Sequence, residues 1–283
     1  MAVAIVSDTC HYLARDLVLE HDIHEVSLYV HWRDHTERES EIEDYDGYYE
    51  RLRTATELPR TSQPSIGDFL EVYEPLLDGG QDIVSIHLSG AMSGTVRAAE
   101  QAREQLGERA ERVHVIDSGT ACGGEGFVML AAAGAARDGA GAAAVAQHAL
   151  RARAQLKMWF AVDTLEYLRR GGRVGGAQAW LGSALKIKPI LTVESEITPI
   201  ERVRTSRRAF ERLIDLLSTR KEDGADAWMV QHIQAPREAQ ELAARGTAIF
   251  GCEPRGVSEV GPVIGTHVGP GLLGTGGLPS SFL

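Results

Sequence analysis

Short apolar runs alternate with amphipathic stretches through the first half of the chain. Residues 2–6 are apolar and lead into Ser7-Asp8-Thr9, which reads as a buried strand running to a helix N-cap. A helix is predicted over 12–20, a second strand over 25–32, a polar loop over 33–46 and a short helix over 48–53. A turn at 59–64 precedes an amphipathic helix over 66–77. The strand at 82–88 follows Gly79-Gly80, and Ser93-Gly94-Thr95 opens a helix reaching about residue 108. A strand at 112–116 ends at Asp117-Ser118-Gly119, and two Ala-rich helices follow at 126–137 and 142–156. Strand–helix alternation of this kind predicts an α/β layer on a mainly parallel sheet.

The second half has a different rhythm. It predicts a strand at 157–162, a helical turn at 164–170, a glycine break at 171–176 and a helix at 177–185. A strand at 187–193 follows, which Pro189 pushes toward an edge or a strand end. A strand at 196–203 returns from a turn at Ser195. Then come a helix at 207–221, a strand at 227–232, a helix at 236–245 and short strands at 257–260 and 265–268. The change of pattern places a domain boundary near residue 156, giving domains 1–156 and 157–283. A length of 283 residues suits two domains.

Charge and cysteine content narrow the setting. Lysine plus arginine number 29 against 40 aspartate plus glutamate, a net charge of −11, which argues against a general nucleic-acid binder. Cys10, Cys122 and Cys252 form no CxxC pair, and a reducing cytoplasm is the simplest compartment. The N-terminus lacks a basic n-region, so no signal peptide is read there. The longest apolar run, 128–146, is interrupted by Arg137 and Asp138, so no membrane span is expected.

Candidate chemistry gathers at turns. Thr61, Ser62 and Ser65 stand beside a helix start, with Pro64 suited to its first turn. Plain capping is the commoner role of such hydroxyls, and an anion at the helix start is the alternative. Ser93 opens the next helix behind Gly90 and before Gly94. A serine nucleophile elbow would read GxSxG, and the spacing fails; capping and anion binding both remain open. The segment 269–274 spells GxGxxG, but only nine residues follow it, too few for a dinucleotide-binding unit. No P-loop occurs. His267 is read as the end of a strand, with a structural role as the ordinary alternative to binding. Asp8 and Asp117 read as caps. No metal-binding spacing appears. Arg169, Arg170 and Arg173 form one basic group, and Arg202, Arg204, Arg207 and Arg208 a second, suited to an acidic or phosphate-bearing partner.

Taken together, the segments IVSDT (5–9), TSQPS (61–65), SGAMSGT (89–95), IDSGT (116–120), LEYLRRGGRV (165–174), KIKPIL (186–191) and HVGPGLLG (267–274) resemble the DegV family of bacterial proteins. They lie in family order along nearly the whole chain. The usual third segment is closer to SSGLSGTY; here His87-Leu88 precede Ser89, and Val96 replaces the aromatic. The resemblance implies a two-domain α/β fold: an N-terminal mainly parallel sheet with flanking helices, and a C-terminal α/β domain with a mixed sheet. It also implies a bound long-chain fatty acid, no cofactor, and a non-catalytic role as the lipid-binding subunit of a fatty acid kinase. A separate kinase subunit then phosphorylates the carboxylate to an acyl phosphate. Carried onto this chain, the carboxylate ligands are Thr61, Ser93 and His267, with Ser62 and the Gly94 or Gly269 backbone nearby. Arg173 and Arg202 match kinase-docking positions. Transient membrane contact to collect ligand fits the same picture.

The physics agrees with such a carrier. A tail of some fifteen methylenes gains on the order of 12 kcal/mol on burial, before costs. Its carboxylate cannot be buried unpaired. Hydroxyls and an imidazole satisfy it while leaving its oxygens nucleophilic. Two rivals are a serine-dependent acyl hydrolase or transferase using Ser93 with His267, and a lipid-sensing protein with no kinase.

Overall fold

The computed structural model describes residues 2–33, 35–181 and 187–283. Its first half contains β1 (Val3–Asp8), α1 (Arg15–Glu20), β2 (Ile23–Val26), β3 (Tyr29–Trp32), β4 (His35–Arg38), α2 (Tyr45–Thr54) and β5 (Arg60–Ser62). These are followed by α3 (Ile66–Asp78), β6 (Asp82–His87), α4 (Thr95–Gln105), β7 (Val113–Asp117), α5 (Gly123–Arg137) and α6 (Ala142–Gln155). The second half holds β8 (Lys157–Ala161), α7 (Glu166–Arg170), β9 (Lys188–Glu194), β10 (Glu196–Val203) and α8 (Ser206–Glu222). It closes with β11 (Ala227–His232), α9 (Pro236–Phe250), β12 (Val257–Glu259), α10 (Pro262–Val268) and β13 (Leu273–Leu278).

The described residues form three sheets. Strands β2-β1-β6-β7 form an all-parallel sheet, as strand–helix alternation requires. Strands β10-β9-β8-β13-β11-β12 form a mixed sheet, in which only β11 and β12 run parallel. A small antiparallel sheet, β4-β3-β5, lies beside them.

Apolar periodicity assigns the layers. Phe69 and Tyr73 of α3 and Ala98 and Ala102 of α4 pack on Val6 and Ile83, covering one face of the parallel sheet. On its other face, Phe127 and Met129 of α5 and Val145 and Ala149 of α6 meet Ile5, Val84 and Ile116. The same cluster takes in Met229 and Leu278, so these helices are shared between the two large sheets. Phe210, Leu213 and Leu242 of α8 and α9 cover the far face of the mixed sheet around the fully buried Trp228.

Several expectations need correction. Residues 265–268 are not a strand; they belong to α10, so His267 sits in the last helical turn. That helix starts at Pro262, carries His267 in its last turn and has Gly269 at its C-cap, local signals that the β-branched pair Val263-Ile264 masks, and it has no local side-chain cap. The central strand β13 was not foreseen, because glycines at 274, 276 and 277 suppress a strand reading. Gly276 and Gly277 are there for close packing: a Cβ would lie 2.1 Å from the Lys157 carbonyl oxygen at the first and 2.0 Å from the Ala227 carbonyl oxygen at the second. The supposed single strand 25–32 is two, β2 and β3, in different sheets. The polar loop 33–46 contains β4, a 3-10 turn at Glu39–Glu41 and the first residues of α2. The turn 59–64 contains β5, and Pro64 lies before the cap Ser65 rather than in the helix. Pro189 is the second residue of β9, an interior strand, and so marks a strand end. From the helix expected at 177–185, residues 175–180 form a 3-10 turn (Gly175–Trp180). Residues 182–186, including Lys186 of the KIKPIL segment, lie outside the described residues.

Candidate functional site

Strand β5 brings the first hydroxyls. Thr61 pairs opposite the buried Val30, and Ser62 opposite Tyr29, so alternation turns the two side chains to opposite faces. Thr61 Oγ1 lies 2.7 Å from His267 Nε2. Ser62 Oγ instead lies 2.7 Å from Nε2 of His31, on the outer face of the small sheet. Capping of α3 falls to Ser65, whose hydroxyl accepts from Asp68 N–H while the Asp68 carboxylate accepts from Ser65 N–H. Thr61 and Ser62 are thereby left out of the cap.

His267 is pressed down to a pKa of about 4, first by burial and then by the nearby Arg173 guanidinium, so it is neutral at pH 7. Its Nδ1 is buried without a partner, and a Cβ on Gly171 would come within 2.3 Å of it. A neutral ring holds one N–H. Placing it on Nε2 satisfies the donor through Thr61 and leaves the cheaper orphan, an acceptor, at Nδ1. Thr61 O–H is then free to donate to an anion.

Ser93 and Gly94 come from the turn after β6. Ser93 Oγ lies 2.9 Å from Thr95 Oγ1, and Gly94 is the N-cap of α4. The turn is pinned from below. Asp8 accepts from Cys10 N–H at 2.9 Å and Leu88 N–H at 3.0 Å, and Asp117 accepts from Gly90 and Gly119 N–H. Both aspartates therefore serve turns, as their positions at strand ends suggested. The Gln63 carboxamide lies across Gly94, where a Cβ would come within 3.1 Å of it.

These groups share one cavity. Thr61, Ser62, Gln63, Ser93, Gly94, Arg173 and His267 contribute its polar margin. Leu28, Leu88, Phe160, Val193, Ile197 and Leu272 are among its apolar walls. Its volume is about 120 Å³, which at about 30 Å³ per water is the liquid volume of about four waters. The cavity lies between the turns at the carboxyl ends of β6 and β7 and the mixed sheet, the usual ligand position for an open α/β sheet.

Not every expected residue joins it. Gly269 does not line the cavity; its φ of +77° and a Cβ that would meet the Tyr167 ring at 2.3 Å give it a structural reason to be glycine. Arg202 also lies outside the lining and stacks 5.3 Å over Trp180. Arg169 pairs with Glu166, and Arg207 with Glu211 and Glu241. Arg173 is the basic side chain at the cavity, with Nη1 donating to the Gly171 carbonyl at 2.7 Å. Gln63, Thr120 and Gln231 also line the cavity; Gln63 belongs to TSQPS and Thr120 to IDSGT, whereas Gln231 carries no such signal. Ser93 makes no hydrogen bond to His267, whose Nε2 faces Thr61, and Nδ1 has no orienting carboxylate. Among the described residues no group of three or more His, Cys, Asp or Glu side chains is placed to hold a metal. No described helix is long and apolar enough to cross a membrane.

A family profile described as "Uncharacterised protein, DegV family" matches residues 2–279. The chain belongs to the DegV family. Protein DegV of Bacillus subtilis is 35% identical over 277 residues, spanning 97% of this chain and 98% of the relative. A DegV domain-containing protein of Streptomyces coelicolor is 39% identical over 275 residues, with 96% of each chain covered. The DegV fold is shared with solved structures. The Thermus thermophilus DegV family protein, described by its fatty acid binding, superposes with a TM-score of 0.87 at 31% identity, covering 99% of this chain and 100% of that one. DegV of Bacillus subtilis, described as a fatty acid binding protein, gives a TM-score of 0.87 at 35% identity with 98% of each chain covered.

Proposed function

We propose that this DegV protein binds a long-chain fatty acid and presents its carboxylate to a separate kinase subunit for phosphorylation to an acyl phosphate. The observation that carries the reading is an apolar cavity whose edge holds the Thr61–His267 pair, Ser93 and the Gly94 backbone, with Arg173 as its charged member. The fatty-acid-binding relatives at 31% and 35% identity support it.

A carboxylate at this edge takes charge-assisted hydrogen bonds from hydroxyls and backbone N–H groups. In this reading the uncharged donors take the carboxylate oxygens, while the Arg173 guanidinium is engaged by the Met92 and Gly171 carbonyls. Phosphoryl transfer needs that oxygen aimed at the partner's nucleotide, and positioning is this chain's share of the work. Ser62 belongs to the set through its backbone beside Thr61, and Gly269 through the turn that ends α10. Arg173 at the cavity and Arg202 on the neighbouring edge strand are the docking residues for the kinase. The same reading makes the chain a non-catalytic cytoplasmic subunit that needs no cofactor and touches membrane transiently to collect ligand. It also divides the chain at 156/157, where β8 begins the mixed sheet.

Native mass spectrometry and lipid extraction of the purified protein test the first part, with a fatty acid expected at about one per chain. Incubation with ATP and the partner kinase tests the second, with acyl phosphate expected only when both proteins are present. Hydrolysis of a chromogenic acyl ester, lost on Ser93→Ala, would instead make this an esterase.

A further inference from the structure

The polar segment 33–46 supplies an acidic side chain that reaches the start of α10. Glu39 is 2% exposed, although its sequence neighbours lie at the surface. Its Oε1 accepts from Tyr12 O–H at 2.7 Å and from Val263 N–H at 2.7 Å, and its Oε2 accepts from Thr9 O–H at 2.5 Å. Tyr12 Oη in turn accepts from Ile264 N–H at 3.2 Å. Pro262, the first helical residue, has no N–H to satisfy. The orphan donors at the start of α10 are thus met by a glutamate 224 residues earlier and the tyrosine it holds. Gly261 permits the approach: a Cβ there would lie 2.6 Å from the Tyr12 ring and 3.1 Å from Glu39 Oε1. The other end of this seven-residue helix carries His267.

We infer that Glu39 is a positioning residue of the candidate site, seating α10 so that His267 meets Thr61. The inference rests on the fatty-acid reading only for its ligand assay. The groups facing Glu39 are the acids Asp8 and Glu125, the thiols Cys10 and Cys122, and the phenols Tyr12, Tyr45, Tyr48 and Tyr49, none of them a cation. Burial first, with Asp8 adding to it, pushes the Glu39 carboxyl up to about 7 against the three donors that oppose the rise. The neutral form keeps the seat: Oε2–H donates to Thr9 Oγ1, while Oε1 still accepts from Tyr12 and Val263.

The test compares Glu39→Gln with Glu39→Ala. Glutamine reproduces the neutral pattern, its amide N–H donating to Thr9 and its oxygen accepting from Tyr12 and Val263. Two readouts are taken: the His267 imidazole ¹⁵N resonances in ligand-free protein, and titration with a fluorescent polyene fatty acid. Glu39→Gln should leave the His267 resonances in place and keep the wild-type affinity within about twofold. Glu39→Ala should shift those resonances and weaken binding about tenfold. The inference is overturned if folded Glu39→Ala keeps the wild-type resonances and affinity, or if Glu39→Gln shifts the resonances as far as Glu39→Ala does. Should Glu39→Ala fail to fold, Tyr12→Phe, which removes the hydroxyl that accepts from Ile264 N–H, takes its place in both readouts. Should the wild type bind no fatty acid, the proposed function fails, and the His267 resonances of the two variants still test the seat.

Discussion

Replacing Gly171 with alanine probes the seat of His267 from its other side. Gly171 has φ −77° and ψ −8°, which alanine adopts freely, so any effect is steric. The new methyl carbon would lie 2.3 Å from His267 Nδ1 and 3.3 Å from Cγ and Cε1. Ordinary contact begins near ~3.5 Å, so the ring must retreat by roughly 1 Å. It has no room to do so in line, because Nε2 on its far edge already stands 2.7 Å from Thr61 Oγ1. Either His267 leaves its rotamer and Thr61 with it, or α7 and α10 separate. Overpacking costs about 1–3 kcal/mol and the lost hydrogen bond about 0.5–1.5 kcal/mol, so destabilisation of about 2–4 kcal/mol is expected. Urea unfolding measures this as a lower midpoint at unchanged slope. Fatty acid titration of the same variant should show affinity down about tenfold. Gly256→Ala is the control: nothing lies within 4 Å of a Cβ there and its φ is not positive, so it should stay within about 0.5 kcal/mol. Wild-type stability and affinity in Gly171→Ala would refute the placement of the ring between Gly171 and Thr61.

Other outcomes follow from the same geometry. Ser93→Ala and Thr61→Val each remove one donor to the carboxylate and should weaken fatty acid retention about tenfold, read by lipid extraction; full retention in either removes that residue from the site. His267 has its folded pKa lowered to about 4, so the unfolded chain takes up its proton first as pH falls. The stability this ring contributes is complete above about 6.5 and is lost on descent through 4, by up to about 3 kcal/mol. His267→Asn should flatten that acid limb in denaturant titrations from pH 7 to 4, and an unaltered limb would assign the loss to other groups. Arg202→Ala should leave fatty acid affinity within about twofold and reduce kinase-dependent acyl phosphate formation at least about tenfold; undiminished phosphorylation would take Arg202 out of the docking surface.

Where an element's instructions are local, the amino-acid order was enough. The run at 227–232 became β11 with those same bounds, and Ser65 with Asp68 capped α3 without help from elsewhere. Thr61, Ser93 and His267 were found as chemistry-bearing residues at segment ends, and the parallel arrangement of the first large sheet followed from alternating strands and helices.

Tertiary structure decided what depends on partners far along the chain. Helix α10 is stabilised by Glu39 and Tyr12, and β13 by carbonyls of β8 and β11 that leave space only for glycine; no window of a dozen residues contains either cause. The pairing of Thr61 with His267 spans 206 residues, and the diversion of Ser62 to His31 depends on which way β5 faces. Local order sets which conformations a segment prefers, through capping and apolar period. Burial and shape set which segments meet, because a buried donor or acceptor must find its partner wherever the fold brings one within reach.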